Sequence, residues 1–291
     1  MDPRIETSLT RALETRNFVD LLERAGPAMG LPGHKPKLEV VREIGLAIAH
    51  DRVRERGREL ARLLGASERE DARVIAAAAF AAFAVSAPGG PAAPGASKKR
   101  GAPAVPGSES LAALEELADD PRSAVRHGVV DAVRSLLAAD LPTTLTALQS
   151  WTDGFLQAHV ALEALTDRKI LATVPTSADI LALLDPAFEL ADNASRAADR
   201  WQGVRLLREG FPAQITAFVV RFNELFQWVL ARAAATRPET REVLSQTTDA
   251  LLRATVRKSD IDTLRDALAK SAKPPRDPSR IVKGTRKRSG R

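Results

Sequence analysis

Apolar residues recur every three to four positions along most of this chain, in a background of alanine, leucine, arginine and glutamate. All four residue types are strong helix formers. Aromatic residues make up only 4% of the chain and tyrosine is absent. Strands need β-branched and aromatic residues at alternate positions, and no stretch offers that pattern. The sequence therefore predicts an all-α fold.

The periodicity also locates the helices. They are expected near residues 7–25, 37–50, 52–64, 68–86, 109–118, 122–138, 142–153, 155–166, 178–191, 197–209, 213–233, 239–256 and 260–270. Ser67, Thr176 and Ser259 each precede an acidic residue by three positions, which predicts capping boxes. Asp120 stands before Pro121 and is predicted to be a helix N-cap, because proline at the next position loses no hydrogen bond.

Two segments differ from the helical background. Residues 87–107, APGGPAAPGASKKRGAPAVPG, have the composition of a flexible linker. Residues 271–291 combine prolines with eight basic residues and one acidic residue, which is typical of a disordered tail. The tail carries a net +7 and the whole chain +6, so the remainder is at −1 and close to neutral. We therefore expect helical regions at 1–86 and 108–270.

One segment has the pattern of a complete helix pair. Residues 111–137 read LAALEELADDPRSAVRHGVVDAVRSLL. A leucine-rich helix leads into an Asp-Asp-Pro turn, and Val125-Arg126 opens a second helix with small residues on the face where paired helices touch. This segment resembles the HEAT-repeat family, whose helix pairs stack on one another. The resemblance implies a right-handed α-solenoid of antiparallel helix pairs.

Fainter copies of the same pattern surround this unit. With Arg126 as the marker, successive copies are spaced by 53, 32, 42 and 41 residues. HEAT and armadillo units repeat about every 40–47 residues, and the longest spacing contains the linker. The other marker positions are Arg73, Ala158, Arg200 and Arg241. The resemblance implies HEAT-like repeats over 108–270, with 1–86 as a separate helical module or capping repeats; a compact helical bundle is the alternative.

No motif for catalysis or cofactor binding is recognisable. The chain has no cysteine, and its four histidines lack the i, i+4 spacing of a helical zinc site. The patterns GxxxxGK[ST], GxGxxG and GxSxG are also absent, so no phosphate-binding loop or nucleophile elbow is indicated. We therefore expect neither a metal nor a cofactor.

A set of tryptophans with an aspartate and arginines is the one candidate for catalysis. Its members are Trp151, Asp153, Arg200, Trp201, Arg205 and Trp228. In fold and residue types it resembles the HEAT-like alkylpurine DNA glycosylases, where tryptophans contact a distorted nucleotide and a carboxylate could stabilise its positive charge. The resemblance implies Trp151, Asp153 and Arg200 as catalytic residues. Packing in a core or groove is the competing interpretation of the tryptophans, and the preferred one.

These patterns favour a non-catalytic scaffold or adaptor that binds a protein partner through a helical groove. The alternative is a nucleic-acid-associated protein, with an alkylated-base DNA glycosylase as its catalytic form. Trp201 and Arg205 are candidate contacts for either partner. The tail residues Arg286, Lys287 and Arg288 could add salt-sensitive attraction to nucleic acid.

The sequence gives no sign of membrane insertion. The longest apolar run, residues 74–87, falls short of the roughly 20 residues needed to cross a bilayer. The first residues, MDPRIETSLTR, lack the layout of a secretory signal. We therefore expect a cytoplasmic protein of bacterial type without a transmembrane segment.

Overall fold

The computed structural model describes residues 1–33, 35–86, 108–234, 237–254 and 256–271. Within these residues there are fifteen α-helices, three short 3-10 helices and no strand, which confirms the all-α prediction. The expected linker at 87–107 and the tail beyond Ser271, with Arg286, Lys287 and Arg288, lie outside the described residues.

The α-helices are numbered in chain order. They are α1 Pro3–Thr15, α2 Val19–Ala28, α3 Leu38–Ile48, α4 Arg54–Ala66, α5 Glu70–Val85, α6 Ser108–Ala118, α7 Ser123–Ala139, α8 Leu141–Leu148, α9 Phe155–Leu165, α10 Arg168–Thr173, α11 Ser177–Asn193, α12 Gln202–Arg221, α13 Leu225–Arg232, α14 Pro238–Arg253 and α15 Lys258–Ser271. The 3-10 helices are Asp51–Val53, Gln149–Asp153 and Ala198–Arg200.

The helix predicted over 7–25 was wrong, because two helices lie there. Helix α1 ends at Arg16, whose φ of 61° is left-handed and stops the helical hydrogen bonding. The side chain of Asn17 then accepts a hydrogen bond from the N–H of Val19 at 3.1 Å, at the start of α2. Periodicity alone did not show this break, since the apolar spacing continues across it.

Three later boundaries also differ from the prediction. The single helix expected at 142–153 ends at Leu148 and continues as a 3-10 helix. The break expected between 209 and 213 is absent, because α12 runs through Pro212 and ends at Arg221. Helix α10 was missed; it is one and a half turns long and is capped by the Asp167 side chain.

Only one of the predicted caps is confirmed. Thr176 and Asp179 form a reciprocal capping box at the start of α11. Ser67 is not an N-cap, because α5 begins at Glu70 with Arg69 at the cap position. Ser259 lies inside α15 rather than before it. Asp120 also misses the cap position, since α7 begins at Ser123.

Asp120 instead forms a buried charge cluster. Its side chain has no exposed area and accepts hydrogen bonds from the guanidinium groups of Arg73 and Arg122, each at 2.6 Å. Its backbone carbonyl accepts one from Arg126 at 2.7 Å. Burial opposes ionisation of Asp120, but these arginines outweigh it and lower its pKa. The cluster ties α5 to the start of α7.

Five of the helices pack side by side in chain order. Helix α5 packs against α7, α7 against α9, α9 against α12, and α12 against α14, while α3 also packs against α5. Most of their buried apolar residues belong to one core, which includes residues on both sides of 87–107. We call α3, α5, α7, α9, α12 and α14 the helix row.

The first turns of α5, α7, α9, α12 and α14 lie along one edge of the row. Arg122, before α7, donates to the Glu68 carbonyl before α5. The Gln202 side chain, on α12, donates to the Pro121 carbonyl before α7 at 3.1 Å. Arg237, before α14, lies 3.4 Å from Asp199, which precedes α12. These five helices therefore run in the same direction.

The marker positions have the same register in this row, with one correction. Arg73, Arg126, Ala158 and Arg241 are each the fourth residue of their helix. Arg200 is not, because it lies in the 3-10 turn before α12, and Arg205 occupies the fourth position instead. The sequence alignment was therefore displaced by five residues at this helix.

Candidate functional site

The tryptophan, aspartate and arginine of the catalytic alternative lie in different environments. Trp151 is in the 3-10 helix after α8 and only 1% exposed, packed in the core. Asp153 and Arg200 are exposed. A nucleotide could touch the indole of Trp151 only if the core opened around it. Trp228 donates from Nε1 to Asp185 at 2.6 Å and packs edge-on against Phe188.

Asp153 faces another acid. Burial raises the pKa of Glu115 on α6, and the nearby charge of Asp153 raises it further. The 3-10 turn does bring Trp151 and Asp153 close in space, yet the indole points into the core while the carboxylate stays at the surface. Asp153 and Arg200 form no ion pair with each other.

Trp201 has the opposite environment to Trp151. It is 60% exposed, immediately before α12, and its ring packs edge-on against Phe155 with a centroid distance of 6.4 Å. Arg205 lies one turn further along and is exposed, as is Arg200. We call Phe155, Arg200, Trp201 and Arg205 the Trp201 edge. A large exposed indole is unusual for a folded surface and is typical of contact sites.

A second candidate surface is an apolar groove above α5, between α3 and α7. Its cavity volume is about 190 Å³. Leu46 and Val85 stand at its sides with exposed fractions of 61% and 41%. The remaining lining consists of small or paired residues: Arg42, Ala78, Ala81, Ala82, Ser86, Asp131, Ala132 and Ser135. We call this surface the α5 groove.

The α5 groove exists because α5 is made of small residues. Helix α5 packs against α3, α4, α6 and α7, so nearly all of its surface is covered. The alanine stripe at 78, 81 and 82 leaves a shallow open floor, because side chains of this size do not fill the space between α3 and α7. Gly45 lets α3 approach closely: a Cβ there would lie 2.7 Å from the Ala78 backbone.

An ion pair closes one side of the groove. The Arg42 Nε donates to Asp131 at 2.7 Å, and a second nitrogen of the same guanidinium also contacts this carboxylate. The carboxylate of Asp131 is 8% exposed, so Arg42 satisfies a charge that is almost buried. The hydrogen bond to Asp131 raises the pKa of Arg42, although burial opposes this. The pair connects α3 to α7 across α5.

A buried polar cluster lies between α7, α9 and α12. Burial lowers the pKa of His159, and the charge of Glu163 only partly offsets this. The fully buried Gln214 donates from Nε2 to Glu163 at 3.4 Å, and the Arg134 guanidinium donates to the Glu163 carbonyl at 3.1 Å. A Cβ at Gly210 would lie 2.8 Å from both the His159 Nδ1 and the Gln214 Nε2, so these two side chains pack directly over the glycine.

This cluster leaves polar atoms without a partner among the described residues. They are His159 Nδ1, Gln214 Oε1 and Arg134 Nε. Buried polar atoms of this kind usually hold ordered water, and two or three converging groups suit one water molecule. The hydrogen bonds of this cluster join α7 and α12 to α9 within the helix row.

The described residues offer no group of three acidic or histidine side chains placed to hold a metal ion. No helix in the described ranges is both long enough and apolar enough to span a bilayer. Comparisons with protein-family models, with curated proteins and with solved structures found no significant match to this chain.

Sequence reasoning named Trp201 and Arg205 as candidate contacts, and both are exposed, but it did not name Leu46 or Val85. A signal for Leu46 was present, because the buried residues Val41, Ile44 and Ile48 define the inner face of α3 and Leu46 falls outside it. Helix α5 gives no such signal. It is apolar on every face, so the sequence does not show which face stays open.

Proposed function

We propose that this chain is a non-catalytic scaffold or adaptor, built as a HEAT-like right-handed α-solenoid, that holds a partner protein in the α5 groove. The single observation that carries the proposal is the exposure of Leu46 and Val85 beside an alanine floor. Exposing apolar side chains of this size to water is unfavourable, and burying them against a partner is favourable.

Two features of the helix row support the solenoid part of the proposal. Its helices pack in chain order and run in one direction, as repeated helix pairs do. The markers also share a register, since Arg73, Arg126 and Arg241 are the fourth residues of their helices. In each case the arginine donates to the end of a neighbouring helix or turn.

The shape of the groove favours a helical segment as the occupant. The α5 residues that line it, Ala78, Ala81, Ala82 and Val85, recur at the spacing of one helix face, over about two turns. Helices pack about 8–10 Å apart, and small side chains at the contact permit the shorter distance. An amphipathic helix with two or three apolar anchors would cover both Leu46 and Val85.

Site-specific photo-crosslinking tests this proposal. A benzoylphenylalanine placed at Leu46 in the full chain, in native cells, should give one discrete adduct with a partner protein. The matched control is the same group at Leu252 on α14, which is similarly exposed at 42%. Leu46→Asp with Val85→Asp should abolish the adduct recovered through a reporter at Ser135, and Leu252→Asp should leave it intact.

The proposal fails if position 46 gives no adduct, or if positions 46 and 252 give the same set of proteins. Both groove substitutions are at exposed positions, so their cost in folding free energy should stay within about 0.5 kcal/mol. Circular dichroism and thermal melting of the double variant verify that the adduct is not lost through unfolding.

A further inference from the structure

The Trp201 edge is a second exposed surface. It combines an indole with arginines, unlike the apolar α5 groove, and the function proposed for the groove does not use it. Its indole is held by Phe155 on one side and open on the other. The Gln202 side chain anchors the start of α12 to the Pro121 carbonyl, so the edge rests on a fixed backbone. An exposed aromatic on a fixed backbone can bind without a large loss of conformational entropy.

The charge around Trp201 is positive. The only carboxylate of the preceding turn, Asp199, is already paired with Arg208 at 2.8 Å and with Arg237 at 3.4 Å. Among the described residues, the guanidinium groups of Arg200 and Arg205 have no hydrogen-bond or ion-pair partner. Arg200 directly precedes Trp201 and Arg205 follows it by one helical turn, while the nearest acids in sequence are Asp199, paired as above, and Glu209, one turn beyond Arg205.

The first turn of α12 adds to this field. Trp201 occupies the cap position without a side-chain hydrogen bond to the following N–H groups. These donors and the positive end of the helix dipole lie at the start of α12, directly after Trp201. The exposed acid Asp153 bounds the edge beyond Phe155 and lies close to Glu115. An incoming anion would be attracted on the α12 side and repelled on the α6 side.

We propose that the Trp201 edge binds an acidic segment of a protein partner, with an apolar side chain against Trp201 and carboxylates on Arg200 and Arg205. Carboxylates match the forked donors of arginine in pairs. Tryptophan and arginine together are the residue types that dominate binding free energy at protein interfaces. An isolated pair of arginines with a single exposed ring suits a short acidic peptide better than the long run of phosphates in a nucleic acid.

Fluorescence of the full chain tests this inference. The probe is a short peptide of alternating glutamate and leucine; a lysine-for-glutamate version and single-stranded oligothymidine are run beside it. The readout is protection from acrylamide quenching in the full chain carrying Trp228→Phe, because Trp228 is partly exposed and would add to the signal. Trp151 is buried and contributes little to quenching, so the remaining signal reports on Trp201. The acidic peptide should protect Trp201 in a saturable manner, and binding should weaken as salt is raised.

Two variants locate the binding. Arg200→Glu with Arg205→Glu should weaken labelled acidic peptide binding about tenfold or more. Arg11→Glu with Arg56→Glu changes the net charge equally at exposed positions far along the chain and should leave binding unchanged. Trp201→Ala should also weaken binding, whereas Leu46→Asp with Val85→Asp should not, which separates this surface from the α5 groove.

Several outcomes would overturn the inference. These are no saturable protection by the acidic peptide, equal weakening in both charge-reversal variants, or equal protection by the lysine peptide. Tighter protection of Trp201 by oligothymidine than by the acidic peptide would also overturn it and assign the edge to nucleic acid. None of these results bears on crosslinking at Leu46, so the two proposals fail independently.

Discussion

The α5 groove and the Trp201 edge are both exposed, but they are built in different ways. The groove is shaped by backbone spacing, because alanines and Gly45 let α3, α5 and α7 approach closely. The edge is shaped by side chains that project from the start of α12. The groove should therefore respond to changes in volume and stability, and the edge to changes in charge.

Asp120 offers the largest test of this comparison, because it supports both regions. Its carboxylate joins Arg73, in the first turn of α5, to Arg122, which lies next to the Pro121 carbonyl that accepts from Gln202. Asp120→Ala leaves these arginines without their buried partner and should cost about 3–5 kcal/mol of unfolding free energy. Urea denaturation measures the loss, and Asp51→Ala, an exposed i, i+3 partner of Arg54, is the control at about 1 kcal/mol or less.

The contribution of the Asp120 carboxylate to the unfolding free energy should depend on pH. The folded-state pKa of Asp120 is lowered from its ordinary value of 3.8, so its contribution is present above that pH and lost as pH falls through the folded value. The wild type should therefore lose more stability than Asp120→Ala between neutral pH and pH values below 3.8. Equal losses in the two proteins would show that the buried cluster does not hold the regions together.

Gly45→Ala should have an intermediate effect on the unfolding free energy, and its structural effect should be confined to the α5 groove. An added Cβ would meet the Ala78 backbone at 2.7 Å, so Gly45→Ala should force α3 away from α5 and cost about 1–3 kcal/mol. Gly128→Ala is the matched control, because its nearest neighbour, on Val74, lies 3.5 Å away. That substitution should be neutral or should stabilise by up to about 1 kcal/mol through helix propensity.

Thermal melting and acrylamide quenching separate the two regions in this case. Gly45→Ala should lower the melting temperature while Trp201 keeps its accessibility. A variant that melts like Gly128→Ala would contradict the view that backbone spacing sets the groove. So would an unchanged crosslinking yield at Leu46 in a variant that is clearly destabilised.

Trp201 gives the smallest effect on stability. Because the ring is 60% exposed, Trp201→Ala should change the unfolding free energy by only about 0.5 kcal/mol, while Trp151→Ala, in the core, should cost about 3–5 kcal/mol. Chemical denaturation of the two variants measures this contrast. Comparable losses would mean that the edge is part of the packed core rather than a contact surface.

Much of the helical fold was predictable, because amphipathic periodicity reports burial directly. The thirteen predicted segments fall on described helices, and the prediction that Val125-Arg126 opens a helix is confirmed, since both lie in the first turn of α7. The errors occur where backbone geometry overrides side-chain pattern. The left-handed Arg16 splits a helix whose apolar spacing continues, and Pro212 lies within α12 where a break was expected.

The candidate surfaces were only partly predictable for a related reason. A candidate contact residue is recognised in sequence by its type, so Trp201 and Arg205 could be named as candidates in advance. Trp151 has the same type but is buried, because exposure depends on which neighbouring helices cover it. The α5 groove could not be located from the sequence. Helix α5 is alanine-rich and apolar on all faces, so its sequence does not indicate which face the neighbouring helices leave uncovered.

The packing around α5 also has a consequence for chain continuity. Contacts from α5 to α6 and α7, and the pairs Arg42–Asp131 and Arg73–Asp120, join residues before 87 to residues after 107. If the chain were cut between residues 87 and 107, each of the two fragments would carry one half of the core, and the halves would be complementary. Co-expressed pieces should therefore reassemble without a covalent link, and the chain should accept inserted sequence there with little penalty.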